Sequence, residues 1–197
     1  LYIPTGRPVF LTLEATGQAT DDPSGVGVIH SFWVPKLAGK QDVIPGHERN
    51  MTIEAEKPGS YAGQCAEFCG LSHANMRFAV VALQPPDFDA WVQEQASPQP
   101  PPDDELAARG AELFTSRTCI ACHAINGYEG AEARVGPNLT HFADRSKFAG
   151  YILDNTPENV AAWLADPQAL KPGAQMPDLQ LTGEDIQALV AYLETLE

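Results

Sequence analysis

Apolar residues recur at two different periods along this chain, and the change falls at a run of prolines. Before the run the period is two. Val9, Leu11 and Leu13 alternate with Phe10, Thr12 and Glu14, and Met51, Ile53 and Ala55 alternate with Thr52, Glu54 and Glu56. Phe78 to Leu83 is a short apolar run centred on Val80 and Val81, and Pro45-Gly46 and Pro58-Gly59 punctuate these stretches. Alternation bounded by Gly and Pro predicts short strands in a β-sandwich or barrel. After the run the period is 3.6. Leu106, Gly110, Leu113 and Phe114 fall on one helical face. Thr156-Pro157-Glu158 is a helix start, with Thr as N-cap and Pro at the first helical position; the helix carries Val160, Trp163 and Leu164 and stops before Pro167. Thr182-Gly183-Glu184-Asp185 resembles a capping box with Asp in place of Glu. Ile186, Leu189, Val190, Leu193 and Leu196 follow as an apolar stripe.

The prolines lie in Ser97 to Asp104, read Ser-Pro-Gln-Pro-Pro-Pro-Asp-Asp. Consecutive prolines favour an extended, semi-rigid spacer. This predicts two domains, an all-β domain over 1–96 and an all-α domain over 105–197, joined by a linker over 97–104. The length of 197 residues permits two small domains, and 44% hydrophobic residues suffice for packed cores. The net charge of −14 argues against a nucleic-acid partner and favours basic ones. No apolar run approaches the roughly 18 residues of a membrane helix. There is no signal peptide, and Leu1 is not an initiator Met, so the chain is expected to be a processed or engineered piece of a longer protein.

Four cysteines carry the chemistry. Cys65 and Cys69 lie in Cys-Ala-Glu-Phe-Cys-Gly-Leu-Ser-His-Ala-Asn-Met, which offers two thiolates, the His73 imidazole and the Met76 thioether. This soft set suits copper. Zinc would accept the Cys and His ligands but has no use for Met76. A mononuclear blue-copper site would need one Cys, so two Cys read as two copper ions sharing both sulfurs. A Cys65–Cys69 disulfide is the alternative. Cys119-Ile120-Ala121-Cys122-His123 is the Cys-x-x-Cys-His pattern of covalent haem attachment. Two thiols on one turn reach the two vinyl groups, and the next imidazole points at the iron. A thioredoxin-like Cys-x-x-Cys would need a βαβ context that the second half lacks. The sixth iron ligand should be a Met or His downstream, and Met176 is the candidate, in the Pro-flanked loop Lys171-Pro172-Gly173-Ala174-Gln175-Met176-Pro177, with His141 the competitor and core filler the alternative reading of a lone Met.

The first string resembles the copper-A domain of cytochrome oxidase subunit II. The likeness runs from Val28 to Leu83 and includes Ile29-His30-Ser31-Phe32-Trp33-Val34-Pro35, Asp42-Val43-Ile44-Pro45-Gly46 and Gly63-Gln64. It implies a cupredoxin-like Greek-key sandwich in which His30 is the distant second imidazole. Cys65 and Cys69 then bridge two coppers, one completed by His30 and Met76 and the other by His73 and the backbone carbonyl of Glu67. The Glu67 side chain is implied to share a magnesium ion with the catalytic subunit. Two departures stand out. Gly17 to Gly25 looks like an insertion, and His47 stands where the family usually has Arg after Pro-Gly. The second half resembles small class I cytochromes c, through the Met176 loop and Gly136-Pro137-Asn138-Leu139. That likeness implies that the Pro137 carbonyl holds the His123 ring and that Arg145 and Trp163 lie near the haem propionates. Without it, Arg145 reads as a surface ion-pair partner and Trp163 as a core aromatic.

A copper-A domain continuous with cytochrome c is the arrangement of caa-type terminal oxidases. The resemblance therefore implies an electron-transfer subunit with dinuclear copper A and one covalent haem c. Its partners would be the catalytic subunit I and an electron-donor protein such as a cytochrome c. It would work on the outer, periplasmic or extracellular, face of the bacterial cytoplasmic membrane, held by an N-terminal anchor outside this sequence. No residue reads as a general base or nucleophile; the chemistry belongs to the cofactors. Two other readings stay open. One is the copper-A and cytochrome c part of a nitrous-oxide or nitric-oxide reductase, against which Glu67 stands, because nitrous-oxide reductases typically carry Trp there. The other is a free two-cofactor electron shuttle, which a membrane hairpin upstream of Leu1 would exclude.

Overall fold

The computed structural model describes residues 1–15 and 27–197. The stretch Gly17 to Gly25, read as an insertion, lies outside the described residues. The chain divides into two compact units, 1–92 with 150–152 and 93–149 with 153–197.

The first unit is sheet-rich. Its strands are β1 (Tyr2–Pro4), β2 (Val9–Leu13), β3 (His30–Trp33), β4 (Gln41–Val43), β5 (Arg49–Ile53), β6 (Gly59–Cys65) and β7 (Arg77–Leu83). One sheet has the order β1-β7-β6-β3-β4, with β1 parallel to β7 and the other pairs antiparallel; β2 and β5 form a second, antiparallel pair. The alternation in the sequence sets which face packs. Val9, Leu11 and Met51 lean on the core formed by Ile3, Val34, Ile53, Ala55, Val80 and Ala82, while Phe10 points outward at 65% exposure. β7 is apolar on both faces because it is an interior strand, flanked by β1 and β6.

A helix that alternation did not announce follows β7. α1 (Pro85–Gln95) starts on two prolines, which fit a first turn because its amides have no intrahelical partner anyway. It holds to the first unit through Trp91, whose ring stacks on Tyr2 with centroids 4.3 Å apart.

The second unit is built on α2 (Glu105–Ser116), α3 (Pro157–Ala165), the single turn α4 (Pro167–Leu170) and α5 (Gly183–Glu194), with a two-stranded ribbon β8 (Lys147–Phe148) and β9 (Leu153–Asp154). Side-chain caps satisfy the first free amides. Asp104 accepts from the Leu106 and Ala107 amides, Thr156 from Asn159 and Thr182 from Asp185. Phe114, Leu139, Leu164, Leu189, Tyr192 and Leu193 form the core. α2 crosses α5 at Gly110, where a Cβ would stand 2.0 Å from the Ala188 carbonyl oxygen.

Asp185 is 7% exposed on α5 and accepts a hydrogen bond from Arg117 at 2.5 Å, with Arg109 at 3.8 Å. Burial alone would push its carboxyl up. The Arg117 guanidinium and the Thr182 hydroxyl and amide outweigh this and hold it below the usual carboxylate range. A carboxylate with a lowered folded pKa contributes stability above its unfolded pKa and loses it as the pH falls through the folded value. Asp185→Asn is therefore expected to lower the melting temperature of the second unit near pH 7, with the deficit narrowing in acid. A deficit that stays constant from pH 7 to pH 2 would contradict this.

Candidate functional site

The Cys65 to Met76 loop joins two neighbouring antiparallel strands, β6 and β7, which pair as far as Gln64 and Arg77. Its mouth is closed by the Cys65 amide donating to the Met76 carbonyl at 2.9 Å. Gly70, at φ +113°, makes the reversal, and a 3₁₀ turn at His73–Asn75 returns the chain to β7. β3 pairs with β6 at Phe32 and Cys65, which brings His30 to the same end of the sheet.

The donors surround the thiol pair. Cys65 Sγ is 3.8 Å from His30 Nδ1, 3.8 Å from Cys69 Sγ and 3.2 Å from the Glu67 carbonyl oxygen. Cys69 Sγ is 3.5 Å from His73 Nδ1 and 3.8 Å from Met76 Sδ. A disulfide needs the sulfurs at about 2.05 Å, so these thiols are not bonded to each other, and all four cysteines are free. Among the described residues, His30, Cys65 and Cys69 form a group able to hold a metal ion, with ligand atoms within 4.8 Å of one another. The donor set is soft and has a thiol on both sides of its centre, which fits copper shared between sulfurs.

Burial, then the nearby His73, pushes the His30 imidazole down, which keeps its ring nitrogen free to ligate at neutral pH. Burial, then the Cys65 thiol beside it, pushes the Cys69 thiol up to about 11. Metal binding must therefore displace a proton from this sulfur. Phe68 and Leu71, on the outer side of the loop, are 76% and 80% exposed.

The Cys119 to His123 segment follows α2 directly. Thr118 adopts φ +61°, costly for a β-branched residue, and a 3₁₀ turn spans Cys119–Ala121. The His123 amide donates to the Cys119 carbonyl at 2.9 Å, which continues the turn through the motif. His123 Nδ1 lies 2.8 Å from the Pro137 carbonyl oxygen. That bond leaves Nε2 for a metal. A Cβ on Gly136 would stand 2.5 Å from the imidazole Cε1, so the ring rests against bare backbone.

Met176 lies between α4 and α5. The Trp163 indole N–H, expected near the haem propionates, is directed at Met176 Sδ at 3.1 Å. Gln168 organises the loop; its amide donates to the Ala174 and Met176 carbonyls, and its oxygen accepts from the Gly173 amide at 3.2 Å. Arg145 donates to the Asn138 carbonyl and lies over the Phe142 ring at 5.7 Å. His141, the competitor for the sixth position, is buried, with Nδ1 2.8 Å from the Glu197 carbonyl oxygen. The free thiols, the oriented imidazole and a thioether on a side-chain-braced loop fit a covalently held haem.

Gly136 entered the sequence reading only as part of the Gly136-Pro137-Asn138-Leu139 string, with no role of its own. Gln168 was not singled out, and nothing local to it marks it as a loop organiser.

Residues 18–83 match the family described as cytochrome C oxidase subunit II, periplasmic domain, and residues 107–197 match cytochrome c. Cytochrome c oxidase subunit 2 of Alkalihalophilus pseudofirmus is 42% identical over all of this chain and 54% of its own length. That of Bacillus subtilis is 34% identical, over all of this chain and 55% of its own. The chain thus spans about half the length of the curated relatives it matches. The crystal structure of the periplasmic domain of subunit II of cytochrome oxidase of Bradyrhizobium japonicum is 30% identical, covering 48% of this chain and 61% of that one, with a TM-score of 0.41. The sheet-rich unit belongs to the cupredoxin-like class and the helical unit to cytochrome c, and the chain carrying them belongs to the cytochrome c oxidase subunit II family.

Proposed function

We propose that this chain is the electron-entry segment of a haem–copper terminal oxidase. It takes single electrons from a donor protein and delivers them to the oxygen-reducing catalytic subunit. It does so on the outer face of the membrane, to which the longer protein is anchored. The observation that carries the reading is the thiol pair 3.8 Å apart, ringed by two imidazoles, a thioether and a backbone carbonyl. When bound, the copper pair and the haem iron supply reversible one-electron chemistry.

Cys65 and Cys69 would be shared by the two coppers, with His30 and Met76 serving one and His73 with the Glu67 carbonyl the other. The Glu67 side chain would be left to share a magnesium ion with the catalytic subunit. Cys119 and Cys122 would hold the haem, with His123 and Met176 as its iron ligands. Pro137 would orient His123, and Arg145 would serve the propionates. Metal analysis of the copper-loaded protein is expected to give two coppers per haem, with a mixed-valence copper signal; one copper per haem overturns the dinuclear reading.

A thioether ligand raises the haem potential relative to a second imidazole. The Trp163 N–H, 3.1 Å from Met176 Sδ, would draw electron density from that sulfur and so disfavour the oxidised state of a bound iron. Trp163→Phe is expected to lower the potential by roughly 40 mV, taking one hydrogen bond as about 1 kcal/mol and tenfold in a one-electron couple as about 59 mV. Voltammetry of the haem checks this; an unchanged potential would show that the indole does not act on the sulfur.

A further inference from the structure

The proline-rich stretch was expected to be a spacer between domains, yet its first residues have a seat of their own. The Asn126 side-chain amide donates to the Ala96 carbonyl at 3.2 Å and to the Ser97 carbonyl at 3.3 Å, and the Gln99 amide donates back to the Asn126 carbonyl at 3.0 Å. Asn126 is itself fixed, its amide donating to Thr140 Oγ1 at 2.8 Å. Pro98 fills the space beside Gly127, where a Cβ would stand 2.7 Å from the Pro98 Cβ; Gly127 is at φ +86°. At the far end, the Gln99 side-chain amide donates to the Glu197 carbonyl and lies 3.3 Å from His141 Nδ1. His141 is 7% exposed, and its own Nδ1 is turned to the same Glu197 oxygen.

From these contacts we infer that residues 96–99 are a strap of the cytochrome unit and not part of a free tether. The strap spans three segments of that unit: the turn that follows the haem-attachment motif, the 138–141 stretch and the end of the chain after α5. Each side-chain clasp is matched in kind, amide to carbonyl. Proline lowers the entropy that docking costs, because its backbone is largely extended beforehand. The last residue seen stacked in the copper unit is Trp91, on Tyr2. The boundary between the units therefore falls inside α1, between Val92 and Gln93, rather than in an eight-residue proline spacer. Pro100 to Pro102 become an internal connection from the strap to α2. The inference is independent of which cofactors the chain holds.

Hydrogen exchange on the cofactor-loaded protein tests it. The Gln99 amide is expected to exchange at least about a hundredfold more slowly than in an unstructured peptide, as for a group opened only by sub-global unfolding. In the Gln99→Ala, Asn126→Ala double variant, protection of the residue-99 amide should fall by tenfold or more. The melting temperature of the cytochrome unit should also drop, while that of the copper unit stays in place. Exchange of the wild-type Gln99 amide within threefold of the unstructured rate overturns the strap. So does undiminished protection in the double variant, since the amide would then be shielded by something other than this seat. If the double variant does not fold, the wild-type exchange rate alone decides.

Discussion

Cys69→Ser is expected to abolish the mixed-valence copper signal while leaving the haem spectrum and the melting of the cytochrome unit unchanged. Cys69 is the hub of one side of the cluster, within 3.5 Å of His73 Nδ1 and 3.8 Å of both Cys65 and Met76 sulfurs. A hydroxyl is a hard, weakly acidic donor and does not bridge two coppers as a thiolate does. Losing the bridge leaves His73 and Met76 without a shared partner, so the effect exceeds the loss of one ligand. The fold of the copper unit should survive, because its core is formed by Ile3, Val34, Ile53, Ala55, Val80 and Ala82, none of which is in the loop. The haem unit has a separate core. Electron paramagnetic resonance and metal analysis read the outcome; two coppers and an intact mixed-valence signal in the variant would sink the bridging role of Cys69.

Gly110→Ala is expected to destabilise the cytochrome unit by about 1–3 kcal/mol, against the direction that helix propensity alone gives. In a helix interior Ala is favoured over Gly by about 1 kcal/mol. At this position, however, the added Cβ would lie 2.0 Å from the Ala188 carbonyl oxygen, 2.7 Å from its carbon and 2.6 Å from the Tyr192 Cβ. Two of these three are backbone atoms of α5, so relief requires the helices to move apart. Overpacking of this kind costs typically 1–3 kcal/mol, and separation also opens the contacts that Leu189, Tyr192 and Leu193 make in the core. The steric term wins because the neighbour is a rigid helix, not the tip of a flexible side chain. Gly63 offers the contrast: its nearest neighbours are Phe78 ring atoms, which a rotation can move. Gly110→Val should go further and leave little folded cytochrome unit at 37 °C. Thermal melting followed by circular dichroism settles it; an Ala variant that melts at or above the wild type would show that propensity dominates.

The chemistry of the sites was legible because it is local. Two thiols, an imidazole and a thioether within one loop, and Cys-x-x-Cys-His within one turn, name their metals by donor type and spacing. The helices at 157–165 and 183–194 were equally legible, since Thr156 and Thr182 cap amides three residues away. Strand alternation at Val9 to Leu13 and Met51 to Ala55 likewise reports a face that each residue occupies in its own strand.

What lay beyond one turn or one strand was decided by tertiary structure. His30 reaches Cys65 from 35 positions away because β3 pairs with β6; its own sequence neighbours carry no ligand signature, and a family likeness had to supply it. α1 escaped notice because its anchor is the Tyr2 ring at the opposite end of the unit, not an apolar stripe that periodicity could reveal. Trp163 read as a core or propionate-side aromatic, and only the packing of α3 against the Met176 loop turned its N–H toward sulfur. The proline run fixed an extended backbone by itself, since that is a property of the residue. Whether an extended backbone is free or fastened depends on amide and carbonyl groups supplied by Asn126 and Glu197, which the chain brings alongside only when it folds.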